Sequence, residues 1–132
     1  MKRVFIDANI VLDFLDKNRK FHNEALGVIN KIIDDEWTAV ISEDLLTTIY
    51  YVAKDKQKIL DFFSVILDSW DVVSFGKEQL MESVNICQRE KSLDFEDVNQ
   101  SLCARKQNCH LIVTNDRSFY QCGIPLVTSL EF

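Results

Sequence analysis

The 132-residue chain is the size of one domain, and 47% hydrophobic with 27% charged residues, three Gly and one Pro exclude a disordered, collagenous or linker-rich polymer. Its 15 Lys plus Arg against 21 Asp plus Glu give a net charge of −6, which argues against a nucleic-acid reader working through a basic surface, since the long-range field repels polyanions. A nuclease is not excluded, because cations held by carboxylates reverse the local field.

Val4-Phe5-Ile6 is an apolar run too short for a helix and ends at Asp7, as expected of a strand buried on both faces. A short helix from Asn9 carries Ile10, Leu12, Phe14 and Leu15, and a second is predicted from Phe21 to Asp35, with Ala25, Leu26, Val28, Ile29, Ile32 and Ile33 inward. Trp37 to Ile41 is β-branched and strand-like, and Ser42 is placed to cap a helix over Glu43 to Ala53. The next helix, Lys56 to Ser69, carries a wide apolar face of Ile59, Leu60, Phe62, Phe63, Ile66 and Leu67. Trp70 to Ser74 reads as a strand, and Glu78 to Glu90 as a helix with Leu80, Met81, Val84 and Cys87 inward. Asp94 caps a helix running to Gln107, whose first turn carries Glu96 and Asp97. Leu111 to Thr114 and Pro125 to Thr128 complete the strands.

Alternating helices and short apolar strands predict the α/β class: a three-layer α/β/α sandwich around a mostly parallel sheet of about five short strands. No repeat or composition shift divides residues 1–132, so one domain is expected. No apolar run approaches the ~20 residues of a membrane span. The opening reaches Asp7 before a signal-peptide core could form, so a cytoplasmic location without a membrane partner is expected. Cys87, Cys103, Cys109 and Cys122 contain no C-x-x-C pair and read as reduced thiols.

Ligands of parallel α/β sheets bind beyond the carboxyl ends of the strands, at the point where the topology reverses. Acids recur at those ends: Asp7, with Asn9 beside it; Glu43 after Ser42; and Asp116 after Thr114 and Asn115. Asp94 and Asp97, three apart, share one face at a helix start. Carboxylates crowded into one cleft repel unless cations separate them, and hard oxygen donors suit Mg²⁺ or Mn²⁺. Such a site supports phosphodiester hydrolysis without a Ser or Cys nucleophile. Each acid alone also has a structural reading, Asp94 as an N-cap above all; their coincidence at one edge favours function.

Three segments carry a resemblance to the PIN domain, the fold of VapC-type toxin ribonucleases, over nearly the whole chain. Phe5-Ile6-Asp7-Ala8-Asn9-Ile10-Val11-Leu12-Asp13 resembles the family's first strand and D-x-N-x-x-x-D signature. Asp94-Phe95-Glu96-Asp97-Val98-Asn99-Gln100 resembles its central acidic segment, and Leu111 to Asp116 its T-x-D strand end. The resemblance implies an Mg²⁺- or Mn²⁺-dependent ribonuclease in which Asp7, Asp97 and Asp116 hold the metal and Asp94 assists. Asn9, Ser42 and Thr114 would position ligands or water. It also implies an RNA substrate, a homodimer and a small antitoxin covering the cleft. One element departs from the pattern: where VapC-type sequences carry a Glu on the helix after the second strand, this chain has Thr48 or a close neighbour.

Glu43 is placed either to reach the cleft or to balance the helix dipole. Asp13 either orients the first loop or faces solvent, and Arg117 either touches a phosphate or pairs with an acid. His22 and His110 lack partners at catalytic or zinc spacing. Tyr50, Tyr51, Phe62 and Phe63 belong to the core or to a patch where two copies meet. The alternatives to a nuclease are a PIN-fold RNA- or protein-binding module without turnover and, more remotely, an acid-pocket phosphotransfer protein. The latter wants an Asp where Asn9 stands and a late lysine that is missing.

Overall fold

A computed structural model describes residues 2–132. The chain runs β1 (Arg3–Ile6), α1 (Ala8–Leu15), α2 (His22–Asp34), β2 (Thr38–Ser42), α3 (Glu43–Val52), α4 (Lys56–Ser69), β3 (Asp71–Val73), α5 (Lys77–Arg89), α6 (Phe95–Lys106), β4 (Leu111–Val113) and β5 (Leu126–Val127). The third and fifth strands are shorter than their apolar runs, ending short of Trp70, Ser74, Pro125 and Thr128, although the Pro125 carbonyl still accepts from the Ile112 N–H at 3.0 Å.

The sheet is wholly parallel, in the order β3-β2-β1-β4-β5. Its first three strands step outward in one direction; the chain then crosses back to lay β4 on the other side of β1. Right-handed crossovers in opposite directions put α1 to α4 on one face and α5 and α6 on the other. The packing agrees, since α1 touches α2 and α3, α3 touches α4, and α5 lies along α6. The reversal falls between β1 and β4. Val4, Phe5 and Ile6 at the sheet centre are fully buried, flanked by Val40, Ile41, Ile112 and Val113. No helix among the described residues is long and apolar enough to cross a membrane.

Several expected core positions are exposed. On α5, Leu80, Met81 and Val84 face solvent, Cys87 is half-buried, and the buried residues are Gln79 and Ser83. The reason is a polar lock with Asn99 of α6. Gln79 Nε2 donates to Asn99 Oδ1 at 2.9 Å and to its backbone carbonyl at 3.1 Å, and the Ser83 hydroxyl donates to the same Oδ1 at 3.2 Å. Satisfied buried polar groups of this kind fix helix orientation as firmly as apolar contacts do. The apolar face of α4 is likewise narrower than its sequence suggests: Ile59 and Ile66 are buried, Phe62 and Phe63 half-buried, and Leu60 and Leu67 exposed. On α2, Ala25, Val28 and Ile32 face the core while Leu26 and Ile33 do not.

Replacing Asn99 by Ala should strand the Ser83 hydroxyl and one Gln79 donor in the α5–α6 interface, lowering stability by ~1–3 kcal/mol in urea denaturation. A loss below ~0.5 kcal/mol, as for an ordinary surface change, would contradict the lock.

Candidate active site

Asp7 follows β1 and Thr114 follows β4. Because the strands pair in parallel with Ile6 opposite Val113, both side chains leave the same sheet edge side by side. Thr114 Oγ1 donates to Asp7 Oδ2 at 2.8 Å and accepts from the Asp116 backbone N–H at 3.1 Å. The Asp116 Oδ1 accepts from the backbone N–H and hydroxyl of Ser118, at 2.9 and 2.7 Å, which closes the turn after β4. Asn115 points elsewhere, its Oδ1 accepting from the Ser129 backbone and hydroxyl at 2.9 and 3.1 Å.

The third side comes from α6. Asp94 is its N-cap, accepting from the Asp97 backbone N–H at 3.0 Å, and so fixes the turn that carries Asp97. Burial pushes the Asp97 carboxyl up to about 7, assisted by the negative charges of Asp94, Asp7, Asp116 and Glu96. Burial likewise pushes Asp7 up to about 6; the Thr114 hydroxyl and Ala8 amide moderate the rise, and the charges of Asp116 and Glu96 add to it. Asp7, Asp97 and Asp116, far apart in sequence, thus lie within range of one another's charge, and Asp94 acts on Asp97 from the same turn.

Among the described residues no three Asp, Glu, His or Cys side chains form a ready-made coordination shell. The acids stand as the Asp7–Thr114–Asp116 link and the Asp94–Asp97 turn. That still fits an ion of the Mg²⁺ kind, which keeps several waters and needs only one or two direct carboxylates, and a set of hard oxygen donors in mutual repulsion is what such an ion relieves.

The remaining residues divide. Ser42 occupies the N-cap position of α3, but its buried hydroxyl caps nothing and has no partner. Glu43 is exposed; the acid of that turn whose charge reaches α6 is Asp44, through Glu96. Thr48 faces α6, its hydroxyl donating to Glu96 Oε2 at 3.3 Å. Asp13 is buried and paired with Arg19 at 2.7 Å, and Arg19 also donates to Asn9 Oδ1 at 3.4 Å, so Asp13 and Asn9 together anchor the α1–α2 connection. Arg117 is exposed, makes no ion pair among the described residues, and its charge acts on Glu131. His22 lies against the Asp13 carbonyl, and His110 accepts from the Arg3 backbone N–H. The four cysteines are free; burial pushes the Cys103 and Cys109 thiols up to about 12 and about 11. Tyr50 and Tyr51 are exposed.

Sequence reasoning missed Glu96, Asp44 and Gln100 as parts of this neighbourhood. The available signal was spacing: Asp44 and Thr48 on α3, and Glu96 and Gln100 on α6, each four apart, form two facing polar stripes.

A parallel sheet whose topology reverses beside β1, with carboxylates gathered at that point, defines an acidic-cleft α/β protein. The PIN domain profile matches residues 4–124, and the chain belongs to the PIN domain family. It is 32% identical over 134 residues to ribonuclease VapC1 of Aquifex aeolicus (strain VF5), covering 99% of this chain and 93% of that protein. Its fold is similar to that of Mycobacterium tuberculosis VapC20, described as a sarcin–ricin loop cleaving toxin, with TM-score 0.72 and 12% identity over 88% of this chain and 92% of that one. It is also similar to VapBC2 of Rickettsia felis, solved with a DNA fragment from the VapBC2 promoter, with TM-score 0.70 and 17% identity over 96% and 98% of the two chains.

Raised carboxyl pKa values mean that, between about pH 4 and about pH 7, the folded metal-free protein binds more protons at Asp7 and Asp97 than the unfolded chain does, so their contribution to stability falls as pH rises. In chelator, the thermal midpoint of the protein relative to that of Asp97→Asn should therefore drop between about pH 5 and about pH 7.5, and Mn²⁺ should raise it more at the higher pH. A relative midpoint that climbs over this range would contradict the clustering.

Proposed function

We propose that this protein is a divalent-metal-dependent endoribonuclease acting as the toxin of a toxin–antitoxin pair. The observation that carries the reading is the Thr114 hydroxyl joining Asp7 to the Asp116 backbone, opposite Asp97, at the reversal point of the sheet. Ribonuclease VapC1, nearly full-length in its match, and the VapC and VapBC structures support it.

Asp7, Asp97 and Asp116 would hold Mg²⁺ or Mn²⁺, and Asp94 assists by fixing the turn beneath Asp97. When bound, such an ion makes water a usable nucleophile near neutral pH and offsets charge on the scissile phosphate. Thr114 keeps the Asp7 carboxylate aimed and limits its rise in pKa, so that it ionises near neutral pH. Asn9, through Arg19, holds the first turn of α1 in place, and the unpaired Ser42 hydroxyl remains a donor for water or substrate oxygen. A chain of net charge −6 would bind RNA only where its acids are neutralised, so a cation held by Asp7, Asp97 and Asp116 would serve binding as well as chemistry. The partners that complete the reading are a small antitoxin covering the cleft and a second copy of the chain, for which exposed Tyr50 and Tyr51 offer a face.

Thr48 favours the second reading, a PIN-fold RNA- or protein-binding module without turnover. Cleavage of a mixed RNA pool separates the two. Wild type should cut with Mn²⁺ and stop in chelator, and Asp7→Asn, Asp97→Asn or Asp116→Asn should each lower the rate by at least ~100-fold, as expected when several kcal/mol of charge stabilisation is lost. Equal, metal-independent cleavage by wild type and Asp7→Asn would overturn the proposal.

A further inference from the structure

At the far end of α1 from Asp7 the structure holds a cavity of about 380 Å³, within the ~300–1,000 Å³ typical of small-molecule sites. Eight residues of helix span ~12 Å, and the cavity lining includes none of the acids gathered at the strand ends. Its floor is apolar: Leu12 and Ile59 are buried, Leu15 and Ala53 half-buried, and Val52 is exposed beside them. Its rim is cationic, with Lys17 and Arg19 from the α1–α2 connection, Lys54 from the α3–α4 connection and Lys58 from the first turn of α4.

Both walls are held by internal hydrogen bonds. Arg19 Nε donates to the buried Asp13 carboxylate at 2.7 Å, and the Arg19 backbone N–H donates to the Asp16 carbonyl at 3.1 Å. Across the cavity the Lys56 ammonium donates to the Tyr50 and Tyr51 carbonyls, and Asp55 caps α4 by accepting from the Lys58 backbone N–H at 3.1 Å. The other acid of the lining, Asp16, accepts from the Asn18 backbone N–H at 2.9 Å. Both acids are thus turned to backbone donors, whereas Lys17, Lys54 and Lys58 make no ion pair among the described residues. On a chain of net charge −6, four cations against two acids around one cavity reverse the local sign. A bare inorganic anion would meet this rim and leave the floor wet, and a neutral hydrocarbon would cover the floor and leave the cations unused. An RNA strand would find cations but no aromatic side chain in the lining on which to stack a base.

We propose that this cavity binds a small organic anion, its apolar body on the floor between α1 and α4 and its carboxylate or phosphate head on the rim of Lys17, Arg19, Lys54 and Lys58. Arg19 is the fixed point of the rim, because Asp13 orients its guanidinium before any ligand arrives; the three lysines close on the head from exposed positions. The proposal stands independently of the nuclease reading, since it uses none of the acids at the strand ends.

Fluorescence titration of the full chain with anilinonaphthalene sulfonate, an aryl body with one anionic head, tests this beside the uncharged phenylnaphthylamine. Lys54→Glu combined with Lys58→Glu should weaken the sulfonate on the order of 10-fold, as two attractions become repulsions, and leave the neutral probe within about 2-fold. Ala53→Leu, which fills the floor, should weaken both probes. Octyl phosphate and octanoate should each displace the sulfonate, the tighter of the two naming the head, where inorganic phosphate at the same concentration does not. Sulfonate binding unchanged in the double lysine variant, or displaced equally by inorganic phosphate, overturns the proposal. Displacement by oligouridylate as readily as by octyl phosphate also overturns it, in favour of an RNA track. If Ala53→Leu fails to fold, the double lysine variant decides alone, since both its side chains are exposed and free of ion pairs among the described residues.

Discussion

The Thr114 hydroxyl, shared between the Asp7 carboxylate and the Asp116 backbone, holds together two segments more than a hundred residues apart in the chain. It can do so because β1 and β4 are parallel neighbours, so their ends arrive together without any further loop to position them. The bond also limits how far burial raises the Asp7 carboxyl. Without it, Asp7 would stay protonated to higher pH and would lose its fixed direction, and the Asp97 side of the cleft would face an uncharged partner.

That arrangement works against the stability of the fold. Asp7 and Asp97 are both harder to ionise in the folded chain than in the unfolded one, which makes the cleft a source of strain near neutral pH. The central strand absorbs it: Val4, Phe5 and Ile6 are fully buried between β2 and β4, and each large apolar side chain sequestered in this way contributes ~1.5–3 kcal/mol. A functional site that lowers stability, carried by a core that supplies it, is the usual division in enzymes.

Much of this was legible in the sequence. Short apolar runs stopped by Asp7, Ser42 and Asp116 marked strand ends, and alternation with helices placed those ends on one edge. The family match fits that reading of residues 4–124. The side-chain faces of the outer helices were less legible. On α5, Leu80 and Val84 each directly follow Gln79 and Ser83, and periodicity alone does not say which stripe turns inward when the facing helix presents Asn99. Glu96 escaped for a related reason: beside Asp94 and Asp97 it reads as one more favourable charge at a helix start, and only the bond from Thr48 shows that it faces α3. Ser42 is the converse. It sits where a capping residue belongs, yet its hydroxyl is left free.

Mutual repulsion among acids gathered from β1, β4 and α6 is the central claim, and carboxyl-carbon NMR titration measures it directly. In chelator, Asp97 should titrate near about 7 and Asp7 near about 6, each shifting down when the other is changed to Asn, and diamagnetic Mg²⁺ should return both toward the ordinary carboxylate range. If both titrate near 3.8, independently of each other and of Mg²⁺, the acids do not share a cleft.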